Sequence, residues 1–245
     1  MTAPAKGGLG LEERRRGWRH DAAFLLAGFA AIVAWDLTGL DLPISRLFGD
    51  AHGFAWHDQW FAERVLHDGA RWIGWLLGAV LLVNIWQPLP FARATSRPVR
   101  VWWAVTTLVA VGLIPLLKTV SLTSCPSSLA EFGGTARYVS HWALTVTDGG
   151  PGRCFPSGHA TAAFCFLAGY FALRDRAPRA ARRWLIATIA CGTVLALVQV
   201  VRGAHYVSHS LWTAWWCWAL AVVSWHAIRP GTDKPQGAGM ASIRN

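Results

Sequence analysis

Phe155-Pro156-Ser157-Gly158-His159 runs straight into Ala160-Thr161-Ala162-Ala163-Phe164-Cys165-Phe166-Leu167, so a turn of proline, serine, glycine and histidine stands at the mouth of an apolar helix. A second polar cluster, Arg202-Gly203-Ala204-His205-Tyr206-Val207-Ser208-His209, stands at the mouth of another apolar run. Ionisable groups beside bilayer-length apolar segments are costly unless they face protein or water. The two clusters therefore predict one assembled polar site.

Working outward from them, the chain has 245 residues, 53% hydrophobic and 15% charged, which moves it from the soluble class toward the membrane class. Apolar runs at about 22–35, 72–86, 101–120, 160–173, 184–201 and 211–228 predict six transmembrane helices, several of them borrowing flanking residues to reach the roughly 20 that a straight span needs. The expected fold is an all-α bundle of six transmembrane helices. One membrane domain occupies 21–229, with polar, mobile tails at 1–20 and 230–245.

The net charge of +10 would suit a nucleic-acid partner only if the basic residues lined one solvent face. They cluster between apolar runs instead: Lys6, Arg14, Arg15, Arg16 and Arg19 before the first, Arg93, Arg97 and Arg100 in the second loop, Arg174, Arg176, Arg179, Arg182 and Arg183 in the fourth, Arg229, Lys234 and Arg244 after the last. By the positive-inside rule these segments face the cytoplasm. Both termini are then inside, no cleavable signal is expected, and both polar clusters open on the outer, periplasmic face of a bacterial-type inner membrane. Many of the sixteen tryptophans fall near helix ends, where an indole suits the headgroup layer.

Two outer segments stand out. Trp56, Trp60, Phe61, Val65 and Trp72 recur at near-helical spacing around Asp58, Glu63, Arg64 and Asp68, which predicts an amphipathic surface helix. The loop 121–155 carries turn signals at Cys125-Pro126, Phe132-Gly133-Gly134 and Asp148-Gly149-Gly150-Pro151-Gly152. A loop of that length is expected to act as a substrate cap or rim.

Backbone N–H groups at a helix start are unpaired and carry the positive end of the helix dipole, so Ser157 and Gly158 form a candidate anion cradle beside His159, a candidate proton donor. The bland alternative is a Pro-Ser helix start with an incidental histidine. His205 and His209 lie four apart and share a helical face, with Arg202 one turn earlier if the helix runs back through Gly203. A neutral imidazole can attack phosphorus when cations hold the phosphoryl oxygens and an acid protonates the leaving group. Lys118, near the outer end of the third span, is a candidate cation; a lysine there can also simply snorkel.

Pro156-Ser157-Gly158-His159, His205-Tyr206-Val207-Ser208 and Lys118 with Cys125-Pro126 resemble the three signature motifs of the type 2 phosphatidic acid phosphatase superfamily, integral membrane lipid phosphatases. The resemblance spans about 118–218. It implies that His205 is the nucleophile, His159 the general acid and then base, and Lys118 and Ser157 phosphate ligands. Three positions depart from the pattern: Cys125 and Gln199 stand where arginines belong, and His209 stands where an aspartate orients the nucleophile. Arg153 and Arg202 are the candidate replacements for the arginines, and neutral His209 could accept the hydrogen bond that fixes the His205 tautomer.

Cys125 and Cys154 lie at the two ends of the outer loop on the oxidising side, and a bridge between them is expected; free thiols are the alternative. Three imidazoles, His159, His205 and His209, could also hold zinc, although such spacing alone is weak. The favoured reading calls for no metal and no cofactor: a membrane phosphatase acting on a lipid phosphate or pyrophosphate at the outer leaflet through a phosphohistidine. A phosphotransferase using the same intermediate and a non-catalytic phospholipid-binding or transport protein are the alternatives.

Overall fold

Proline sets the start of two of the long helices, because its fixed φ suits the first turn and its missing N–H would be unpaired there anyway. In the computed structural model, which describes residues 6–57 and 69–228, Pro98 opens α4 (Arg97–Thr119) and Pro178 opens α7 (Pro178–Val201). In chain order the remaining helices are α1 (Lys6–Thr38), α2 (Asp41–Ser45), α3 (Gly69–Asn84), α5 (Gly158–Phe164), α6 (Ala168–Arg174) and α8 (Val207–Ile228). A two-residue hairpin, β1 (Gly49–Asp50) against β2 (Gly53–Phe54), interrupts the otherwise helical architecture.

The stretch after the Pro-Ser-Gly-His turn is the centre of the bundle. A 3-10 turn, Cys165–Leu167, joins α5 to α6, and Ala160, Phe164, Phe166, Phe171 and Leu173 are buried along this rod. It packs against α4, α7 and α8. Gly192 lets α7 come close, since a β-carbon there would lie 2.3 Å from the Phe164 ring. α1 lies against α8, and at the end away from the two polar clusters Asp21 ties three helices together: Arg174 donates to it twice, at 2.9 and 2.8 Å, and His226 Nε2 lies 2.7 Å away.

Among the described residues, three helices are long and apolar enough to cross a membrane: Arg16–Thr38, Arg97–Thr119 and Pro178–Val201. Trp72–Asn84 is apolar but shorter, the expected fourth span is the buried α5–α6 rod, and the expected sixth lies within α8. The chain is a helical membrane bundle. Helix α1 already begins at Lys6, so most of the stretch expected as an N-terminal tail at 1–20 is helical; Leu11-Glu12-Glu13-Arg14-Arg15-Arg16 are all good helix formers. The expected surface helix around Asp58, Trp60 and Glu63 lies outside the described residues, as does the C-terminal tail at 230–245.

Candidate active site

Gly203 determines how the second polar cluster folds. Its φ of +66° suits glycine, and it closes α7 with paired bonds, Gly203 N–H to Val200 O at 3.0 Å and Ala204 N–H to Gln199 O at 2.9 Å, the arrangement that satisfies the last carbonyls of a helix. The helix therefore does not run back through Gly203, and Arg202, His205 and His209 do not share one helical face. His205 sits in the turn between α7 and α8, while His209 lies in the first turns of α8.

Ser157 caps α5, its Oγ accepting from Ala160 N–H at 3.5 Å. Its own N–H donates to His209 O at 3.1 Å, and Thr213 Oγ1 donates to Ser157 O at 2.9 Å, so the starts of α5 and α8 are stitched together. The stitching brings His159 and His205 face to face, with His159 Nδ1 3.2 Å from His205 Nε2. Lys118 reaches the same place: a β-carbon on Gly158 would stand 3.7 Å from Lys118 Nζ. A cation, a helix start and two imidazoles thus converge.

Cys125 and Cys154 are joined in a disulfide, the bridge expected from the sequence. The rest of the loop is drawn in around it: Asp148 accepts from Ser124 Oγ and Gly150 N–H, both at 2.9 Å, and Arg153 N–H donates to Ser121 O at 2.8 Å. The Cys154 carbonyl accepts from His209 Nδ1 at 3.1 Å. Cys154 Sγ lies 3.5 Å from His205 Nδ1; within the bridge it carries no proton, so this is a packing contact. His209 thus spends its Nδ1 on Cys154 rather than on His205. The Nδ1 side of His205 faces the bridge.

His205 is 1% exposed. Burial, with the nearby charges of His159, His209 and Lys118 adding in the same sense, pushes its pKa well below the usual histidine value, because an imidazolium there would be poorly solvated and repelled. It is held neutral.

The two candidate arginines behave differently. Arg202 is engaged by the turn after β2, its Nε and Nη2 donating to His57 O at 3.1 and 2.9 Å while His57 Nδ1 donates to Arg202 O at 2.9 Å. Arg153 has an exposed side chain on a left-handed backbone, φ 54°, and its guanidinium has no protein partner among the described residues. Gln199 is 1% exposed and its Oε1 is unpartnered.

Among the described residues one group of three metal-ligand types converges, Cys125, Cys154 and His205. Its two sulfurs are bonded to each other, so it offers no thiolate and does not fit zinc. The three imidazoles expected as an alternative zinc set are divided between a ring–ring contact and a carbonyl.

The sequence profile of the PAP2 superfamily matches residues 100–232, which takes in Lys118, the bridged loop and both histidine clusters. The chain belongs to the PAP2 superfamily. Among curated proteins and among solved structures, none matches it. PAP2 membership supports a phosphatase-type hydrolase acting in a membrane setting, and His159, His205 and Lys118 converge within the matched residues of this PAP2 protein.

Sequence reading missed the groups that come from the first quarter of the chain and from the loop. Asp36 and Asp41, at the end of α1 and in α2, reach the start of α8, and His141 stacks on Phe155 with ring centroids 4.3 Å apart and stands edge-on to His209 at 5.7 Å. Charged residues ending an apolar run were the available signal.

Proposed function

We propose that the protein is a metal-independent phosphatase that cleaves a lipid phosphate or pyrophosphate at the outer leaflet of a bacterial-type inner membrane, with six spans and both termini cytoplasmic. The single observation that carries this reading is the 3.2 Å approach of His159 Nδ1 to His205 Nε2 beside Lys118 and the start of α5. With its Nδ1 side turned to Cys154, neutral His205 directs its Nε2 lone pair at the phosphorus site, and His159 in its imidazolium form donates Nδ1–H between the rings. An entering phosphoryl group replaces that contact. His205 Nε2 then forms the P–N bond as the P–O bond to the lipid breaks, and the His159 proton goes to the leaving oxygen. In the second step His159 takes a proton from water, whose oxygen displaces His205 from phosphorus.

Lys118 and the amides at Ser157 and Gly158 hold the phosphoryl oxygens, and Arg153, free at the rim, is the better placed of the two arginines to join them. Arg202 contributes by fixing the turn that carries His205. An apolar cleft of about 470 Å³ between α3, α5 and α7 begins at Ala162, one turn beyond His159, and supports a substrate with a hydrocarbon chain.

The test is phosphate release by purified protein from a panel of lipid phosphates, with acid-labile phosphoprotein trapped by rapid quenching. His159→Ala should lower kcat by roughly 10²–10⁴-fold, the usual worth of a general acid–base group, and His205→Ala should abolish the trapped adduct. Wild-type turnover in His205→Ala would refute the mechanism. Transfer of the phosphoryl group to an added alcohol in place of water would favour the phosphotransferase reading.

A further inference from the structure

The third motif carries His209 where its family relatives carry a carboxylate, yet two carboxylates do reach the start of α8 from the opposite end of the chain. Asp41 Oδ1 accepts from Ser208 N–H at 3.0 Å, and Asp41 Oδ2 accepts the Ser208 hydroxyl proton. Trp35 Nε1 donates to the same carboxylate at 3.1 Å. Asp41 is 7% and Ser208 0% exposed, so these bonds are made away from water. The Ser208 amide is among those a helix leaves unpaired at its start, and an anion there also meets the positive end of the helix dipole.

Four residues on, along the same face of α8, Trp212 Nε1 donates to Asp36 Oδ2 at 2.9 Å. Asp36 also accepts from Trp142 Nε1 at 2.9 Å and lies 3.3 Å from His141 Nε2. The α1–α2 corner thus grips α8 at Ser208 and Trp212, with His205 three residues before Ser208 and His209 one residue after it.

We infer that Asp41 is a positioning residue for the phosphoryl transfer: from across the bundle it fixes the first turn of α8, and with it the ring of His205, compensating for the carboxylate absent at His209. It touches neither the phosphoryl group nor the nucleophile and acts through Ser208. The inference rests on the phosphatase reading of the site.

The experiment measures kcat and KM for phosphate release by the full chain in detergent. Loss of the grip lets His205 drift, and misplacement of a reacting group by about 1 Å can cost on the order of 100-fold. Asp41→Ala should therefore lower kcat by about 10- to 100-fold with KM nearly unchanged. Asp41→Asn keeps an acceptor for the Ser208 amide and a donor for its hydroxyl, and should restore most of kcat. Wild-type kcat in folded Asp41→Ala overturns the inference, and so does Asn no better than Ala. Should Asp41→Ala fail to fold, Ser208→Ala decides: it removes one of the two bonds, a several-fold fall in kcat at unchanged KM is expected, and unchanged kcat overturns the proposal. His205→Ala in the same assay separates the two claims, since activity there defeats the phosphatase reading, whereas an inactive His205→Ala beside a fully active Asp41→Ala defeats only the positioning role.

Discussion

Replacing Cys125 and Cys154 together by serine removes a bridge across a sequence separation of 29. Constraining the unfolded chain over a loop of that size is worth about 12 cal/mol/K, or about 3.6 kcal/mol at 25 °C, roughly a 400-fold change in the unfolding equilibrium. The native state loses something too, because Cys154 carries the carbonyl that accepts from His209 and its sulfur packs on His205 Nδ1. The double variant should therefore unfold at lower denaturant and turn over more slowly. Denaturant titration of detergent-solubilised protein, with and without reductant, measures the first effect, and phosphate release measures the second. Reductant should lower the wild-type midpoint toward that of the variant and leave the variant where it is. A wild-type midpoint equal to the variant's in the absence of reductant would refute the reasoning.

Two further outcomes follow from the turn between α7 and α8. The depressed pKa of His205 should keep the nucleophile neutral into mild acid, so an acid limb of kcat/KM centred at or above about 6.5, the ordinary histidine value, would contradict its assignment. In stability terms the unfolded chain takes up a proton at His205 below about 6.5 while the native chain does not, so this contribution is complete above that pH and declines below it, by up to about 1.4 kcal/mol per pH unit; denaturation midpoints across that window, compared between wild type and His205→Gln, check the sign. Gly203→Ala forces a left-handed backbone on alanine, at about 1–2 kcal/mol, and sets a β-carbon 2.4 Å from the Phe54 ring, at a further 1–3 kcal/mol or so. Loss of stability together with kcat is expected, and a wild-type midpoint would show that the turn tolerates either change.

The chemistry-bearing residues were legible because each sits in a short run whose spacing carries its own meaning: Ser157 capping a helix, His159 two residues on, Lys118 at the end of an apolar run. The bridge was legible from its compartment and its place at both ends of one loop. The reading failed at Gly203, where helical spacing was carried through a residue that ends the helix. Arg202 was assigned to phosphate because nothing nearby in sequence competes for it; its partner His57 is 145 residues away. Asp41 and Ser208 are separated by 167, and no local pattern records a contact made only when α1 docks on α8. Arginine and aspartate positions could be seen to be missing from the motifs, but the carboxylates that reach the start of α8 come there only through tertiary structure.

The origin of the site's parts along the chain bears on how the protein is made. Asp41 emerges from the ribosome first, Lys118 and the bridged loop much later, and His205 only with the final pair of helices. A chain interrupted between α6 and α7 carries Lys118 and His159 but lacks His205, and its Asp41 has no Ser208 to hold. On the proposed mechanism, synthesis thus yields an inert precursor until α7 and α8 are in place, and a half-built copy has no His205 with which to attack the phosphates of the lipids around it.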